Sequence, residues 1–247
     1  MAKQGGMGDQ LYVDGFDISG DIGSLSSIRG GMTTLDVTGI DKSGMERIGG
    51  IRDGSMSFTS FMNDSTGQAH LRLRPLPRPD ILVSYLRGTG IGSPIASLAA
   101  KQLNYDGTRG SDGSLTFVTD AQSNGFGLEW GQQLTAGKRT DTTATSPATG
   151  LDTLASASFG LQAYLHVFAF TGTSVTVTLQ DSADNSSFAA IGGGVSFVAA
   201  SAVGAQRIAT VNTQTVRRYV RAITTGTFSN AVFTVQLTKN EIVGQVF

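Results

Sequence analysis

Apolar and polar side chains alternate along several short stretches of this chain, which is the pattern of a half-buried β-strand. The clearest case runs through residues 115–121 and returns through residues 126–130, with Asn124-Gly125 between them. Asn-Gly favours the positive-φ pair of a tight turn, so this segment predicts a β-hairpin. With 33 glycines among 247 residues, the whole chain predicts a mostly β fold rich in turns and bulges.

The first half shows further strand patterns, interrupted by one long segment without a clear period. Asp14-Gly15 lies between two short apolar runs and predicts a hairpin over residues 11–18. Residues 20–53 hold eight glycines and one strand-like piece at 33–37, which predicts a long loop that is functional or ordered by a partner. Strands are predicted at residues 55–62, 81–86 and 95–105, and a short helix at residues 65–74, begun by Asp64 or Ser65 and ended by Pro75.

Small polar side chains dominate residues 137–158 and predict a domain boundary. Beyond it, short strands at regular spacing are typical of a sandwich or jelly roll. Their predicted positions are 161–170, 175–179, 196–200, 205–211, 216–224 and 231–237. We therefore expect a domain over residues 1–138, a linker over 139–158 and a C-terminal β-sandwich, Ig-like or jelly-roll, over 159–247.

Composition and charge argue against several classes of protein. The chain has no cysteine, which excludes disulfides and thiolate metal sites. Its formal net charge is −1, which argues against a basic nucleic-acid binder. The first residues lack the apolar run of a signal peptide, and no stretch approaches the roughly 20 apolar residues of a membrane span. We expect no membrane insertion.

The two histidines do not predict a catalytic triad. A triad needs a histidine beside a nucleophile and a carboxylate, and neither His70, in the predicted helix, nor His166, in an apolar strand, is accompanied by a G-x-S-x-G elbow. Both are therefore expected to have structural roles, and no catalytic residue is predicted. The protein is not expected to be an enzyme.

Three other motifs resemble ligand sites and fail at identifiable positions. Residues 88–93 (GTGIGS) place Ser93 where a dinucleotide fingerprint needs its third glycine. Residues 131–138 are one residue too long for a phosphate loop, and Arg139 follows where Ser or Thr is required. Residues 181–185 lack the alternating oxygen ligands of a calcium loop and indicate a turn between strands. We expect neither a cofactor nor a metal.

Arginines cluster in two places. Arg217, Tyr219 and Arg221 are spaced to share one strand face, which suggests an exterior surface that contacts an acidic partner. The alternative is a solvated sheet face with salt bridges. The other cluster, Arg72, Arg74 and Arg78, lies among Pro75, Pro77 and Pro79 and fits an interface or a free surface equally well.

Residues 100–117 (AKQLNYDGTRGSDGSLTF) and 123–131 (SNGFGLEWG) resemble tail proteins of long-tailed bacteriophages, specifically the major tail, or tail-tube, protein of siphophage type. Residues 11–19 (LYVDGFDIS) and 67–70 (GQAH) fit the same pattern, as do the glycine-rich segment 20–53 and the strand at 55–62. The similarity covers roughly residues 8–136. It is a similarity of running sequence and order, without a catalytic signature.

The resemblance implies a tail-tube subunit, a β-sandwich or half-barrel with one short helix. Six copies would join their sheets into a ring, and stacked rings would form a tube that conducts phage DNA without binding it specifically. The loop 20–53 would then pack against a neighbouring subunit or ring. Its candidate contact residues are Gly30, Gly31, Met32, Asp41, Met45 and Arg47. The implied location is the virion tail, assembled in the host cytoplasm with the tape measure, terminator and distal tail proteins.

The second half, with residues 180–188 (QDSADNSSF) and 216–221 (VRRYVR), resembles β-sandwich domains appended to phage virion proteins. Such a domain is expected on the tube exterior. Two alternatives stay open. One is a virion decoration or adsorption protein whose C-terminal domain binds cell-surface glycans, and the other is a capsid or head–tail connector protein.

Overall fold

A computed structural model describes residues 5–242 and confirms the mostly β fold with one short α-helix. In chain order the strands are β1 (Gln10–Val13), β2 (Phe16–Asp17), β3 (Ile22–Asp36), β4 (Arg47–Phe61), β5 (Ile81–Leu86), β6 (Pro94–Gln102), β7 (Asp106–Arg109), β8 (Leu115–Ser123), β9 (Glu129–Gln133), β10 (Arg139–Asp141), β11 (Leu151–Asp152), β12 (Leu161–Ser182), β13 (Ala189–Ser196), β14 (Gly204–Ala209) and β15 (Tyr219–Lys239). The helix α1 spans Ala69–Leu73, and a 3-10 turn spans Ser19–Asp21.

All fifteen strands belong to one sheet, with a central path β13-β12-β15-β9-β6-β5-β1-β2. In the first half, β1, β3, β4, β5, β6 and β8 curve around a core that α1 helps to cover. The predicted hairpin at residues 11–18 is confirmed, because β1 and β2 pair antiparallel across Asp14 (φ 49°) and Gly15 (φ 80°).

The helix is shorter than predicted and begins differently. It starts after Gln68, without a side-chain hydrogen bond from Asp64 or Ser65 at its N-terminus. It ends before Pro75, as expected, and buries Ala69 and Leu73 against the core. The cap prediction is wrong: Ser65 accepts the Gln68 N–H through its backbone carbonyl in a turn, and the Asp21 carboxylate accepts the Ala69 N–H at 2.9 Å.

The predicted loop over residues 20–53 is wrong. β3 and β4 are 15 residues each and form one long antiparallel hairpin, the arm, which includes the strand-like piece at 33–37 up to Asp36. Three register shifts interrupt the pairing in β3, at Gly23, Ser26 and Thr33. Glycine occupies only one of these positions; other glycines, such as Gly49 and Gly50, lie against close side-chain neighbours within the arm.

The predicted hairpin over residues 115–130 is also wrong. β8 and β9 do not pair with each other; both lie antiparallel along β6, β8 at its end (Ala100 opposite Ser123) and β9 at its start (Ala96 opposite Trp130). Asn124-Gly125 therefore belongs to a bulge of residues 124–128, which separates two strands that pair one after the other with β6. This bulge carries Leu128 onto the root of the arm, the part around Gly30 and Gly54. The Leu128 backbone lies so close to Gly54 that a Cβ on residue 54 would be 2.6 Å from the Leu128 nitrogen.

In the second half, several predicted strands merge into two long ones. β12 and β15 pair along nearly their whole length, with register shifts at Phe168 and around Gly172. The predicted strand 196–200 instead follows β13, and Ala200 makes an isolated bridge to Val175. Residues 139–158, predicted as a linker, contribute β10 and β11, which both pair with β15. This segment is packed against the second half.

Candidate self-assembly surface and the seam between the halves

The arm exposes more large apolar side chains than a solvated hairpin needs. Beyond its root, both faces of the two-stranded arm are open to solvent, so that alternation cannot bury either side. The exposed set comprises Met32, Leu35, Val37, Ile40, Met45, Ile48 and Ile51. Ile51 is 83% exposed and Ile40 fully so. Exposed apolar surface concentrated on one element indicates an interaction site.

β3 also presents an unsatisfied edge. Among residues 5–242 it pairs only with β4, so its other edge is free along 15 residues. A groove of about 540 Å³ separates this edge from β1 and is lined by Leu11, Ile22, Leu25 and Tyr85, with Asp9 at its rim. The first half is therefore an incompletely closed barrel, open between β1 and β3.

The sequence-predicted contact residues divide into two groups. Gly30 lies at the arm's root, where a Cβ would meet Leu128 at 3.0 Å, and Gly31 follows it with φ 154°. Met32 and Met45 are exposed on the arm, and Asp41 and Arg47 lie near its far end. The sequence reasoning missed Leu35, Val37, Ile40, Ile48 and Ile51. The sequence does carry a sign of them, because large apolar residues recur among the glycines of residues 20–53. The loop prediction did not use this pattern.

A buried chain of hydrogen bonds crosses the seam between the two halves. The Gly15 N–H, in the β1–β2 turn, donates to His166 Nδ1 (3.2 Å), so Nε2 carries the proton and donates to Ser84 Oγ (2.9 Å). Ser84 contacts Ser97 Oγ at 2.5 Å, and the Ser97 hydroxyl donates to Gln236 Oε1. These bonds join β5 and β6 of the first half to β12 and β15 of the second.

His166 is buried, both of its ring nitrogens are hydrogen-bonded, and the imidazole is neutral. The side chain is completely buried, and this burial lowers its pKa from 6.5 to about 3. The cause is desolvation, which disfavours the charged form of a histidine. The ring also lies beside Tyr12 and Phe168, with ring centroids 6.0 and 6.3 Å away.

A second link across the seam is ionic. Arg207 Nη2, on β14, donates to Glu129 Oε1 on β9 at 2.6 Å, and both side chains are almost fully buried. The guanidinium also donates to Tyr164 Oη (3.1 Å) and lies 3.7 Å above the Phe126 ring. A buried pair with further hydrogen bonds fixes geometry, and losing one partner leaves the other charge uncompensated.

The C-terminal arginines have different partners. Arg217 pairs with Asp181 and Arg218 with Asp152, as in the salt-bridged alternative. Arg221 donates from Nε and Nη2 to Gln180 Oε1 and from Nη1 to the Pro147 carbonyl oxygen. Tyr219 lies beside Arg218, with the guanidinium 5.0 Å from its ring.

The acidic segment 181–185 forms a turn. Asp184 accepts hydrogen bonds from the Ser182 hydroxyl and from the backbone N–H groups of Ser186 and Ser187, and these bonds hold its pKa well below the usual range. In the described part of the chain, no group of three or more His, Cys, Asp or Glu side chains is placed to hold a metal ion. No helix of residues 5–242 is long and apolar enough to cross a membrane.

No protein-family model and no curated protein matches this chain. Among solved structures it is similar to a chain of the virion of a native gene transfer agent particle (19% identity, TM-score 0.40) and to one from the tail of an empty gene transfer agent particle with C6 symmetry (18%, 0.41). Each of these two matches covers 52% of this chain and 98% of the other. The SPP1 Dit protein matches at 12% identity over 94% of this chain and 99% of its own, with a TM-score of 0.33.

Proposed function

We propose that this protein is a structural subunit of a phage tail, the tail-tube protein, six copies of which form a ring. The observation that carries the proposal is the arm, which combines a free 15-residue strand edge with seven exposed large apolar side chains between residues 32 and 51. The sequence resemblance over residues 8–136 supports the same assignment.

The free edge of β3 favours pairing with another copy. An unpaired edge presents a row of N–H and C=O groups that another chain's strand can satisfy. On the opposite side of the β3-β4-β8 sheet, β7 pairs only with β8 among the described residues, and all four of its residues are exposed. Two different edges that meet give a head-to-tail contact, which closes into a ring when the rotation fits.

The outer part of the arm is proposed to pack against a neighbouring subunit or ring. Burying one Ile or Met side chain contributes about 1.5–3 kcal/mol, so several of them supply a substantial share of a subunit contact. Four candidate residues of the sequence, Met32, Asp41, Met45 and Arg47, belong to this surface as proposed contacts, and Gly30 and Gly31 are proposed contacts at the arm's root.

In the proposed tube, residues 1–138 form the wall and residues 159–247 lie on the exterior. Phage DNA passes through the lumen without specific binding, which the net charge of −1 favours because a strongly basic wall would hold phosphates. The proposed partners are other copies and the tape measure, terminator and distal tail proteins. The proposed location is the virion tail, with assembly in the host cytoplasm.

Electron microscopy of the purified protein tests this proposal. The unaltered protein is expected to form hollow tubes of stacked rings. Replacing Ile40 and Ile51 by Ser is expected to raise the concentration needed for assembly at least about tenfold, which corresponds to 1.4 kcal/mol. The matched control replaces Val198 and Val211, exposed by 75% and 67% on the second half, and should assemble normally.

Two outcomes would count against the proposal. If the unaltered protein stays monomeric at all concentrations, the proposed tube function is wrong. Tubes that form equally well from the arm variant and the control show that assembly does not use the arm.

A further inference from the structure

A cavity of about 250 Å³ lies where the loop after β5 meets the segment before β11. Its walls are mostly apolar, formed by Ile91, Leu134, Leu151, Val220 and Ala222. Pockets for drug-sized ligands are typically about 300–1,000 Å³, so this cavity suits a smaller molecule. Arg139 and Arg221 supply its cationic groups.

The two arginines differ in how their charge is balanced. Arg139 makes a two-bond contact with the carboxylate of Asp141, through Nε at 2.8 Å and Nη2 at 2.6 Å. Arg221 makes no ion pair with a carboxylate of the described residues; its partners are the neutral oxygens of Gln180 and Pro147. Within the described residues, Arg221 is therefore the cation of this cavity whose charge no carboxylate balances. The neighbouring Arg217 and Arg218, by contrast, are paired with Asp181 and Asp152.

The guanidinium of Arg221 is held in place and still has bonding capacity. It lies 4.0 Å above the Phe188 ring, and three of the five N–H donors of an arginine are used. Partial desolvation lowers its pKa.

The backbone beside Arg221 is also fixed. The Gly150 N–H donates to Asn185 Oδ1 at 2.8 Å, and Asn185 takes a left-handed conformation (φ 59°). A Cβ at Gly150 would lie 2.6 Å from the Val220 carbonyl oxygen, so the close approach needs glycine. The cavity rim therefore does not depend on a ligand for its shape.

We propose that this cavity binds a small organic carboxylate, of about the size of a hexuronate, through Arg221. A guanidinium is the group best suited to carboxylates, because its planar fork matches their two oxygens. The apolar walls would cover the ring or chain that bears the carboxylate. Two sources have this chemistry, an acidic sugar of a surface glycan and the free carboxyl end of a peptide. The site is independent of the proposed tube contacts on the arm.

The test is a titration of the full chain, followed by ¹H–¹⁵N NMR, with glucuronate, glucose and a short peptide ending in Ala-Ala-COO⁻. Glucuronate or the peptide is expected to bind about ten- to hundredfold more tightly than glucose, the ratio that a charged hydrogen-bonded contact supplies. Whichever of the two binds more tightly identifies the source of the carboxylate. Equal binding of glucose, or no saturable binding of either carboxylate, overturns the proposal.

Variants locate the site. Arg221→Gln is expected to remove the preference for the carboxylate, whereas Arg218→Gln, at an arginine paired with Asp152, should keep it. Ile91→Trp should block entry without touching Arg221, since Ile91 lines the cavity and is 59% exposed. Unchanged carboxylate binding in a folded Arg221→Gln or Ile91→Trp variant, judged by the rest of the spectrum, contradicts the assignment.

Discussion

Acidification is expected to weaken this fold through one side chain, His166. Its pKa is 6.5 in the unfolded chain and about 3 in the folded protein, so the unfolded state binds the proton more tightly. The stability that the neutral histidine contributes is therefore complete above pH 6.5 and falls as the pH falls below it. At pH 5.0, 1.5 units below the unfolded pKa, the loss is about 2 kcal/mol, at about 1.4 kcal/mol per unit.

Urea unfolding at pH 7.5 and pH 5.0 measures this loss. The His166→Gln variant is expected to be less stable at pH 7.5, because the bonds to Gly15 and Ser84 are disturbed, but to lose about 2 kcal/mol less on acidification. His70→Gln is the matched control, since His70 is the only other histidine and contacts Tyr105 at a half-buried position. It should retain the loss on acidification that His166 causes.

The comparison isolates His166 from the carboxylates. Burial raises the pKa of Asp14, so protonation of this carboxyl favours the folded state as the pH falls. Its contribution is common to all three proteins and cancels in the differences. Equal losses on acidification in the unaltered protein and in His166→Gln would refute the buried neutral histidine.

Two further changes test the seam. Gly15→Ala should destabilise the protein by more than about 1–3 kcal/mol, because a Cβ at residue 15 would lie 2.4 Å from the Val167 carbonyl oxygen. Gly88→Ala is the control: Gly88 has a similar φ but no atom within 4 Å of an added Cβ, so this variant should lose only the free energy of backbone strain. Equal losses of stability in the two variants would contradict the close approach of Gly15 to Val167. Glu129→Gln should cost about 3–5 kcal/mol by leaving Arg207 buried without its carboxylate, whereas Asp80→Asn, in an exposed ion pair, should cost at most about 1 kcal/mol. Thermal or urea unfolding measures the stability of all four variants. A loss below about 1 kcal/mol for Glu129→Gln would contradict a stabilising ion pair between Glu129 and Arg207.

The sequence predicted local structure well where local chemistry decides it. Asp14-Gly15 forms its turn because both residues tolerate positive φ. Asn124-Gly125 has the same chemistry, yet Gly125 (φ 79°) lies in a bulge. The two sites differ in their long-range partners. Both β8 and β9 pair with β6, and this pairing takes the place of a β8–β9 hairpin.

The arm was missed for a related reason. Glycine at positions 30, 49, 50 and 54 removes the alternation on which strand prediction depends, although each glycine admits a close neighbour such as Leu128, Met32 or Thr33. The seam was also invisible, since Ser84, Ser97 and Gln236 are distant in the chain and only the folded sheet brings them to His166. Long-range contacts of this kind leave no local pattern.

Hydrogen exchange on the backbone amides of β3 tests most directly the claim that copies join at this edge. Amides of β3 that point away from β4 have no strand partner within residues 5–242 and should exchange rapidly in the unassembled protein. In assembled tubes the same amides are expected to be strongly protected, while the paired amides of β4 and β8 change little. Equal exchange of the β3 edge in both states would contradict the account.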